Sequence, residues 1–363
     1  MPWDALRSDL ALPAIARVLE GAAAEREIDR TLRSHRGLSR DERTALVEAI
    51  FGVALWRRRL AWHAHSSNPA DLLRALISDL AGPSPATPER LADRWSLPDW
   101  LEAHLERELG AEADAFCKAI SAPGPVCLRA NRLLCTRDEL AARLTIEGIA
   151  TRPAQRSPDA LFVETKQANL FGSAAWRDGL FEPQDEGSQL VGQLVEARPG
   201  ETVLDLCAGA GGKSLQLAAQ GATVFAHDIS AQRLQRLRNR AVRAGATLIE
   251  IVPAPAAADR VLVDAPCSEL GTLRRGPDAR WRIDPGGLGA FPPIQRELLE
   301  TAARCAQRRM VYATCTIHRA ENEDVAARFD LAHPEFRRTR TEHFLPHLHG
   351  TDGFFAAVWE RNE

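Results

Sequence analysis

The sequence predicts an α/β fold: a doubly wound, Rossmann-like sheet in the C-terminal part, preceded by a small α+β subdomain and an all-α N-terminal domain. Two observations carry this class. From about residue 185, strand candidates alternate with helix-patterned stretches, namely TVLDL (202–206), ATVFAHD (222–228), TLIEIV (247–252), RVLVDA (260–265) and RMVYAT (309–314). Such alternation is the signature of a parallel sheet covered on both faces, whereas the chain before residue 120 is patterned for helices alone. A third observation is chemical. Cys207, Asp228, Asp264, Cys267 and Cys315 all fall at the ends of these runs, and sheets of this kind bind ligands beyond the carboxyl ends of their strands.

Taken in order, residues 1–120 form the helical part, 121–184 the small mixed part and 185–363 the sheet domain. In the first, DERTALVEAIFGVALWRRRLAWHAH opens on a capping-type Asp41 and spaces Leu46, Ile50, Val53 and Ala54 along one face. Pro83, Pro85 and Pro88 then mark a break. The mixed part reads as a strand at VCLRAN (126–131), a helix at TRDELAARLTIEG (136–148) and a strand at LFVET (161–165).

A chain of 363 residues, 45% hydrophobic and 26% charged, is long enough for two or three domains with ordinary cores. It has no apolar run long enough to span a membrane, and Asp4, Arg7, Asp9 and Arg17 interrupt its start where a signal peptide would be apolar. A cytoplasmic protein without a membrane partner is expected, and a monomer. The seven cysteines, 117, 127, 135, 207, 267, 305 and 315, are odd in number and contain no CxxC pair, so free thiols and no metal are expected.

The net charge of −3 supplies no global attraction to nucleic acid, so a polyanion would need a local patch. QRLQRLRNRAVR carries Arg233, Arg236, Arg238, Arg240 and Arg243 on a predicted helix, which suits a solvated face. RRGPDARWR is more specific: Arg274, Arg275, Arg280 and Trp281, in a loop with Gly276 and Pro277, combine phosphate-binding charge with a stacking plane suited to single-stranded nucleic acid.

The first strand runs into DLCAGAGGKS, where Cys207, Ala208, Gly209, Ala210, Gly211, Gly212 and Lys213 lead into a helix. Glycines admit a ligand close to the backbone, and a helix N-terminus offers unpaired amides. The spacing is not that of a phosphate loop, and Asp228 after the second strand can accept both hydroxyls of a ribose. A nucleoside cofactor such as S-adenosylmethionine suits this combination.

LDLCAGAGGKS, VDAPCSELGTLRRGPDARW, VYATCTIHRAENED and TDGFFAAVW together resemble the Sun (Fmu, RsmB) family of RNA cytosine methyltransferases, over roughly residues 90–360. The resemblance implies a shortened NusB-like RNA-binding region at the N-terminus, an RNA-binding platform in the mixed part, S-adenosylmethionine as cofactor and RNA, ribosomal RNA above all, as substrate. Carbon 5 of cytosine becomes nucleophilic only once a thiolate has added to carbon 6, so one cysteine is obligatory and a second group must help release it. By the resemblance, Cys315 of the Thr-Cys motif attacks and Cys267 of the Pro-Cys motif assists release. Asp264 would face the pyrimidine edge and donate to the ring nitrogen as charge develops.

Three departures stand out. Ala210 occupies a position where the family usually has proline, and Glu269 replaces a small residue after Cys267. Between Glu250 and Asp259 there is no acid where the family places its adenine-contacting aspartate, and the loop looks shortened. Two readings remain open: an RNA (cytosine-5)-methyltransferase, and a catalytically weak or inactive RNA-binding relative. A DNA methyltransferase would need no Thr-Cys nucleophile and would carry a separate target-recognition insert.

Overall fold

The computed structural model describes residues 1–81, 87–276 and 278–362, so Pro83, Pro85 and Pro277 lie outside the described residues. The chain divides into two compact units: Met1–Pro123 with Leu273–Gly287, and Gly124–Thr272 with Leu288–Glu363.

The first unit is helical, with α1 (Ser8–Leu19), α2 (Ala24–Ser34), α3 (Arg40–Ala64), α4 (Pro69–Ala81), α5 (Leu91–Trp95), α6 (Asp99–Leu109) and α7 (Ala113–Ser121). The predicted stripe on α3 is real: Leu46, Ile50, Val53 and Ala54 are buried against Ile15, Ile28, Leu72 and Leu76. Burying an aliphatic side chain of this size contributes about 1.5–3 kcal/mol. The cap lies two residues before the Asp41 expected from the sequence. Ser39 is the cap: its hydroxyl accepts from the Glu42 amide at 3.2 Å, while the Glu42 carboxylate accepts from the Ser39 amide at 2.7 Å. That reciprocal pair satisfies two amides that the helix itself cannot, which leaves Asp41 exposed in the first turn.

The second unit holds two sheets. The smaller contains β1 (Cys127–Ala130), β2 (Thr151–Pro153), β3 (Ala160–Val163) and β4 (Phe181–Pro183) in the order β2-β3-β1-β4, with α8 (Arg137–Ile146) and α9 (Ala174–Arg177) in its connections. The larger follows α10 (Glu186–Leu194). Its elements are β5 (Thr202–Asp205), α11 (Gly212–Ala219), β6 (Thr223–Ala226), α12 (Ala231–Ala244), β7 (Ile249–Ile251), β8 (Ala258–Asp264), α13 (Phe291–Cys305), β9 (Ala306–Thr314), α14 (Glu323–Ala332), β10 (Phe336–Phe344), α15 (Pro346–His349) and β11 (Phe354–Arg361).

The order β10-β11-β9-β8-β5-β6-β7 makes seven strands, of which β7, β6, β5, β8 and β9 run parallel. The antiparallel pair β10 and β11, absent from the sequence reading, extends the sheet beyond β9. Period-two alternation sends Leu204, Val261, Val263 and Tyr312 to one face and Val203, Leu262 and Val311 to the other. Both faces are covered, as the alternation of strands and helices requires. No helix follows β7; residues 252–257 connect it directly to β8.

The two sheets are locked together by a buried carboxylate. Glu182 on β4, 1% exposed, accepts from Arg240 Nη2 at 2.8 Å and from Arg243, both on α12. Arg243 also lies 3.4 Å over the Trp176 ring. These two arginines of the basic helix are therefore structural, whereas Arg236 and Arg238 sit on its exposed side. Burying Glu182 with two guanidiniums compensates a charge whose isolated burial would cost several kcal/mol, roughly.

Candidate active site

The chain goes from β5 outward to β6 and β7 and then returns to β8 on the other side of β5. Connections leaving β5 and β8 diverge there, which opens a crevice at the carboxyl ends of the strands. A cavity of about 790 Å³ fills it. Its walls include Cys207, Ala208, Gly209, Ala210, Gly212 and Lys213 after β5, Asp228 after β6, Asp264 at the end of β8 and Cys267 beyond it, and Cys315 after β9. Of the residues expected to hold a cofactor, Gly211 alone is not part of the wall. It is the N-cap of α11, with φ +87°, and a Cβ there would meet Leu237 Cγ at 2.6 Å. Glycine serves the turn at this position rather than the ligand.

Arg240 also donates to the Ala210 carbonyl at 2.7 Å, and the buried Arg129 on β1 to the Gly212 carbonyl at 3.2 Å. The cofactor loop is thus held by arginines from α12 and from the small sheet, although Ala210 lacks a proline's fixed φ. Asp228 accepts from the Gly209 amide at 2.9 Å and the Ser230 amide at 2.8 Å. Each bond uses one lone pair on a different oxygen, so the carboxylate retains acceptor capacity on both.

Sequence reasoning assigned no role to Asp205, the last residue of β5. Its carboxyl is 1% exposed and lines the cavity. Ser214 Oγ donates to Oδ2 at 2.6 Å, while Oδ1 has no partner among the described residues. Burial raises its pKa to about 7, the neighbouring Asp264 and Asp228 adding to the effect. An acid closing a fully buried strand was the available signal.

Lys213 and Asp264 meet across the cavity, Nζ to Oδ2 at 2.6 Å. The Lys213 side chain is therefore turned toward the end of β8. Next to them the two cysteines are brought into contact, Cys267 Sγ to Cys315 Sγ at 3.3 Å. Parallel pairing of β8 with β9 sets Asp264 opposite Ala313, so the residues just beyond each strand end converge. All seven cysteines are free thiols. The Cys315 thiol is held well above its ordinary pKa, by its hydrogen bond with Cys267 first, then by burial and by the carboxylates of Asp264 and Glu269. Cys207 is likewise raised by burial.

The wall after β7 is apolar. Pro255 lines it, in the stretch where an acid was expected and is missing. Ile229, 98% exposed in the folded chain, and Phe291 supply further apolar surface. The cavity therefore combines a carboxylate with acceptor capacity left on both oxygens, a buried carboxyl with one oxygen unpartnered among the described residues, and apolar surface, a set that matches a nucleoside bearing an amine.

The loop expected to bind RNA is only partly available for it. Arg280 is 0% exposed, and its guanidinium donates to the carbonyls of Trp95 at 3.1 Å and Ile120 at 3.0 Å and to the Ser121 hydroxyl at 3.4 Å. Burial lowers its pKa to about 10. It is a structural cation of the helical unit: even its one unpartnered donor, Nε, is enclosed, so none of its donors is at the surface to meet a phosphate, which corrects the expectation. Trp281 is half-buried, with the Arg57 guanidinium 3.6 Å from its ring, so one face is already stacked. Arg274 is half-buried and Arg275 exposed. The short spacing from Arg274 to Trp281 concealed a division between surface and core.

Residues 192–360 match the family model described as 16S rRNA methyltransferase RsmB/F, and residues 97–168 the model of the RsmF/B-like ferredoxin-like domain. A probable ribosomal RNA small subunit methyltransferase B from Synechocystis is 33% identical over 300 residues, 74% of this chain and 67% of that protein. The ribosomal RNA small subunit methyltransferase B of Thermus thermophilus is 32% identical over 336 residues, 85% of this chain and 78% of that protein. Among solved structures, one titled Crystal Structure of PH0851 covers 99% of both chains at a TM-score of 0.80 and 23% identity. Methyltransferases of this family use S-adenosylmethionine, and the cavity fits it: Asp228 keeps acceptor capacity, Asp205 turns an unpartnered oxygen among the described residues to the cavity wall, and at Gly212 even an added Cβ would meet nothing within 4 Å. With its sequence matched over most of its length at 32–33% identity, the chain belongs to the RsmB/F family of 16S rRNA methyltransferases.

Proposed function

We propose that this protein methylates carbon 5 of a cytosine in ribosomal RNA through a covalent cysteine adduct, with S-adenosylmethionine as methyl donor. The observation that carries the reading is the 3.3 Å contact between Cys267 and Cys315 beside the Lys213–Asp264 pair, all in one cavity. The names of the relatives support ribosomal RNA as substrate. When bound, S-adenosylmethionine supplies an electrophilic methyl group. Asp228 would accept the ribose hydroxyls and Asp205 the amino group, while the amides at the start of α11 border the same space.

Cys315 adds as thiolate to carbon 6, and the ring becomes an enamine whose carbon 5 is nucleophilic. The Lys213–Asp264 pair presents a proton to the pyrimidine edge, which neutralises the negative charge that develops there. After methylation the carbon 5 proton leaves to a base and its electron pair expels the Cys315 thiolate. Cys267, already hydrogen-bonded to that sulfur, stabilises it as it departs. The raised pKa of Cys315 means that this thiolate is scarce in the free protein.

The two sulfurs are separated by a denaturing gel with labelled RNA. Cys315→Ala is expected to abolish both adduct and methylation, and Cys267→Ala to accumulate a denaturant-resistant adduct that needs Cys315 and S-adenosylmethionine. An adduct in Cys315→Ala but not in Cys267→Ala reverses the two roles. Methylation untouched by either change rejects the two-thiol mechanism. The second reading, an RNA-binding relative with weak cofactor affinity, is favoured by one observation, the apolar Pro255 in the stretch without an acid. Calorimetric titration with S-adenosylmethionine that shows no binding at millimolar concentration, about −4 kcal/mol, would select it.

A further inference from the structure

The contact between Cys267 and Cys315 joins two loops with no covalent link, and a buried polar cluster beneath them holds the loops in register. Glu321, 0% exposed, lies beyond the Cys315 loop. Its Oε2 accepts from the Ser268 amide at 3.0 Å and from Gln295 Nε2 at 2.9 Å. The same Gln295 nitrogen donates to the Pro266 carbonyl at 3.0 Å, so the peptides on both sides of Cys267 are tied to this one carboxylate. Tyr312, the chain's single tyrosine, donates to the Glu321 carbonyl at 2.6 Å and fixes its backbone to β9.

Two further contacts cross the same gap. Ser268 Oγ and Thr316 Oγ1 are 2.8 Å apart. The Gly271 amide donates to the Cys315 carbonyl at 3.0 Å, an approach so close that a Cβ at residue 271 would collide with the Gly353 carbonyl. On the Cys315 side itself, Asn322 bonds both Thr314 Oγ1 at 2.6 Å and the Thr316 carbonyl at 3.0 Å and braces that loop. Glu321 is thus the member of the cluster that reaches the Cys267 loop from the Cys315 side with a charge-capable acceptor.

We propose that Glu321 is a positioning residue for the two thiols: by holding Ser268 and, through Gln295, Pro266, it sets the separation across which Cys267 acts on Cys315. The inference rests on the two-thiol reading for its functional meaning, but the separation itself can be measured without RNA. Diamide takes two electrons and two protons from a pair of adjacent thiols, which leaves a disulfide and the reduced hydrazine. Its rate therefore reports how often the sulfurs lie within bonding reach.

The experiment follows formation of the Cys267–Cys315 bridge in the full chain, by peptide mass with loss of two hydrogens. Glu321→Leu removes the acceptor, and Glu321→Gln keeps one oxygen able to take both donors. Glu321→Leu should slow bridging by at least about tenfold, because a displacement of the order of 1 Å is enough to misalign reacting atoms, and Glu321→Gln should restore most of the rate. Asp259→Asn, which disturbs the two bonds that the Asp259 carboxylate accepts from Thr202 at the opposite end of β8, serves as a destabilised control that should bridge at the wild-type rate. If Glu321→Leu does not fold, Thr316→Val, which deletes the hydroxyl contact with Ser268 and, within the Cys315 loop, the acceptor of the His318 amide, should also slow bridging. Wild-type thiols that fail to bridge, or bridging indifferent to both Glu321→Leu and Thr316→Val, overturns the inference. Absence of RNA methylation by a wild-type protein that does bridge rejects the proposed function and leaves the positioning role standing.

Discussion

Replacing Asp205 by asparagine should stabilise the protein increasingly as the pH rises. The carboxyl is 1% exposed and its pKa is about 7, raised mainly by burial, against an ordinary 3.8. Below pH 3.8 both the folded and the unfolded chain hold this proton, and the group makes no pH-dependent contribution. Between 3.8 and about 7 the unfolded chain releases it while the folded chain keeps it, so stability falls with pH; above about 7 both release it and the loss is complete. A tenfold difference in proton affinity is worth about 1.36 kcal/mol, so the full loss is about 4 kcal/mol, of which about 2–3 kcal/mol accrues between pH 5 and pH 8. Asparagine keeps an oxygen for Ser214 and places a neutral NH₂ where Oδ1 has no partner, at a constant cost of about 1–3 kcal/mol. The pH-dependent difference between variant and wild type is free of that constant. Urea unfolding at pH 5 and pH 8 should therefore show Asp205→Asn gaining about 2–3 kcal/mol on the wild type over this interval. A gain near zero refutes the assignment of a protonated, buried Asp205. The same substitution should weaken S-adenosylmethionine binding, since it removes the carboxylate offered to the amino group. A stabilised variant with poorer cofactor affinity is the pattern expected when a strained group is kept for binding.

Asp228→Ala should cost about 1.5–3 kcal/mol of S-adenosylmethionine affinity by calorimetry, the value of hydrogen bonds to a charged acceptor, and unchanged affinity removes Asp228 from the site. Arg280→Met should lower the stability of the helical unit by about 3 kcal/mol or more, because the carbonyls of Trp95 and Ile120 lose their donor; loss of RNA affinity at unchanged melting temperature would restore it to the RNA surface. Alkylation of Cys315 by iodoacetamide should rise with pH along a curve displaced above that of an unfolded control, and Cys267→Ala should move the curve down, as the hydrogen bond from Cys267 is the largest cause of the displacement. A Cys315 profile that coincides with the unfolded control contradicts the raised thiol.

The parallel core of the sheet was legible because its strands are local. Each of β5, β8 and β9 is a short apolar run that ends in a residue unsuited to a core, and Asp205, Asp264 and Thr314 close them in the chain itself. The motifs around Cys267 and Cys315 carried the chemistry for the same reason, since a thiol after a strand end needs no partner to be noticed. β10 escaped notice because an edge strand meets solvent: FRRTRTEHF is exposed over most of its length, and its polarity hid its pairing with β11.

What tertiary structure decided was which charges face water and which are enclosed. Five arginines along α12 look equivalent in sequence, yet Arg240 and Arg243 are bound to Glu182, some 58 and 61 positions away, while Arg236 and Arg238 remain exposed. Arg274 and Arg280 look like one basic loop, yet Arg280 is committed to carbonyls about 160 and 185 positions back. The identity of a residue fixes its charge, its donors and its reach; the partner that takes up those donors comes from wherever the fold brings a carbonyl or carboxylate, and no local spacing encodes that distance. The sequence determined that two thiols, a carboxylate and a glycine-rich turn would stand at strand ends. Only the packing of β8 beside β9, with Glu321 beneath their loops, brought the two sulfurs to 3.3 Å.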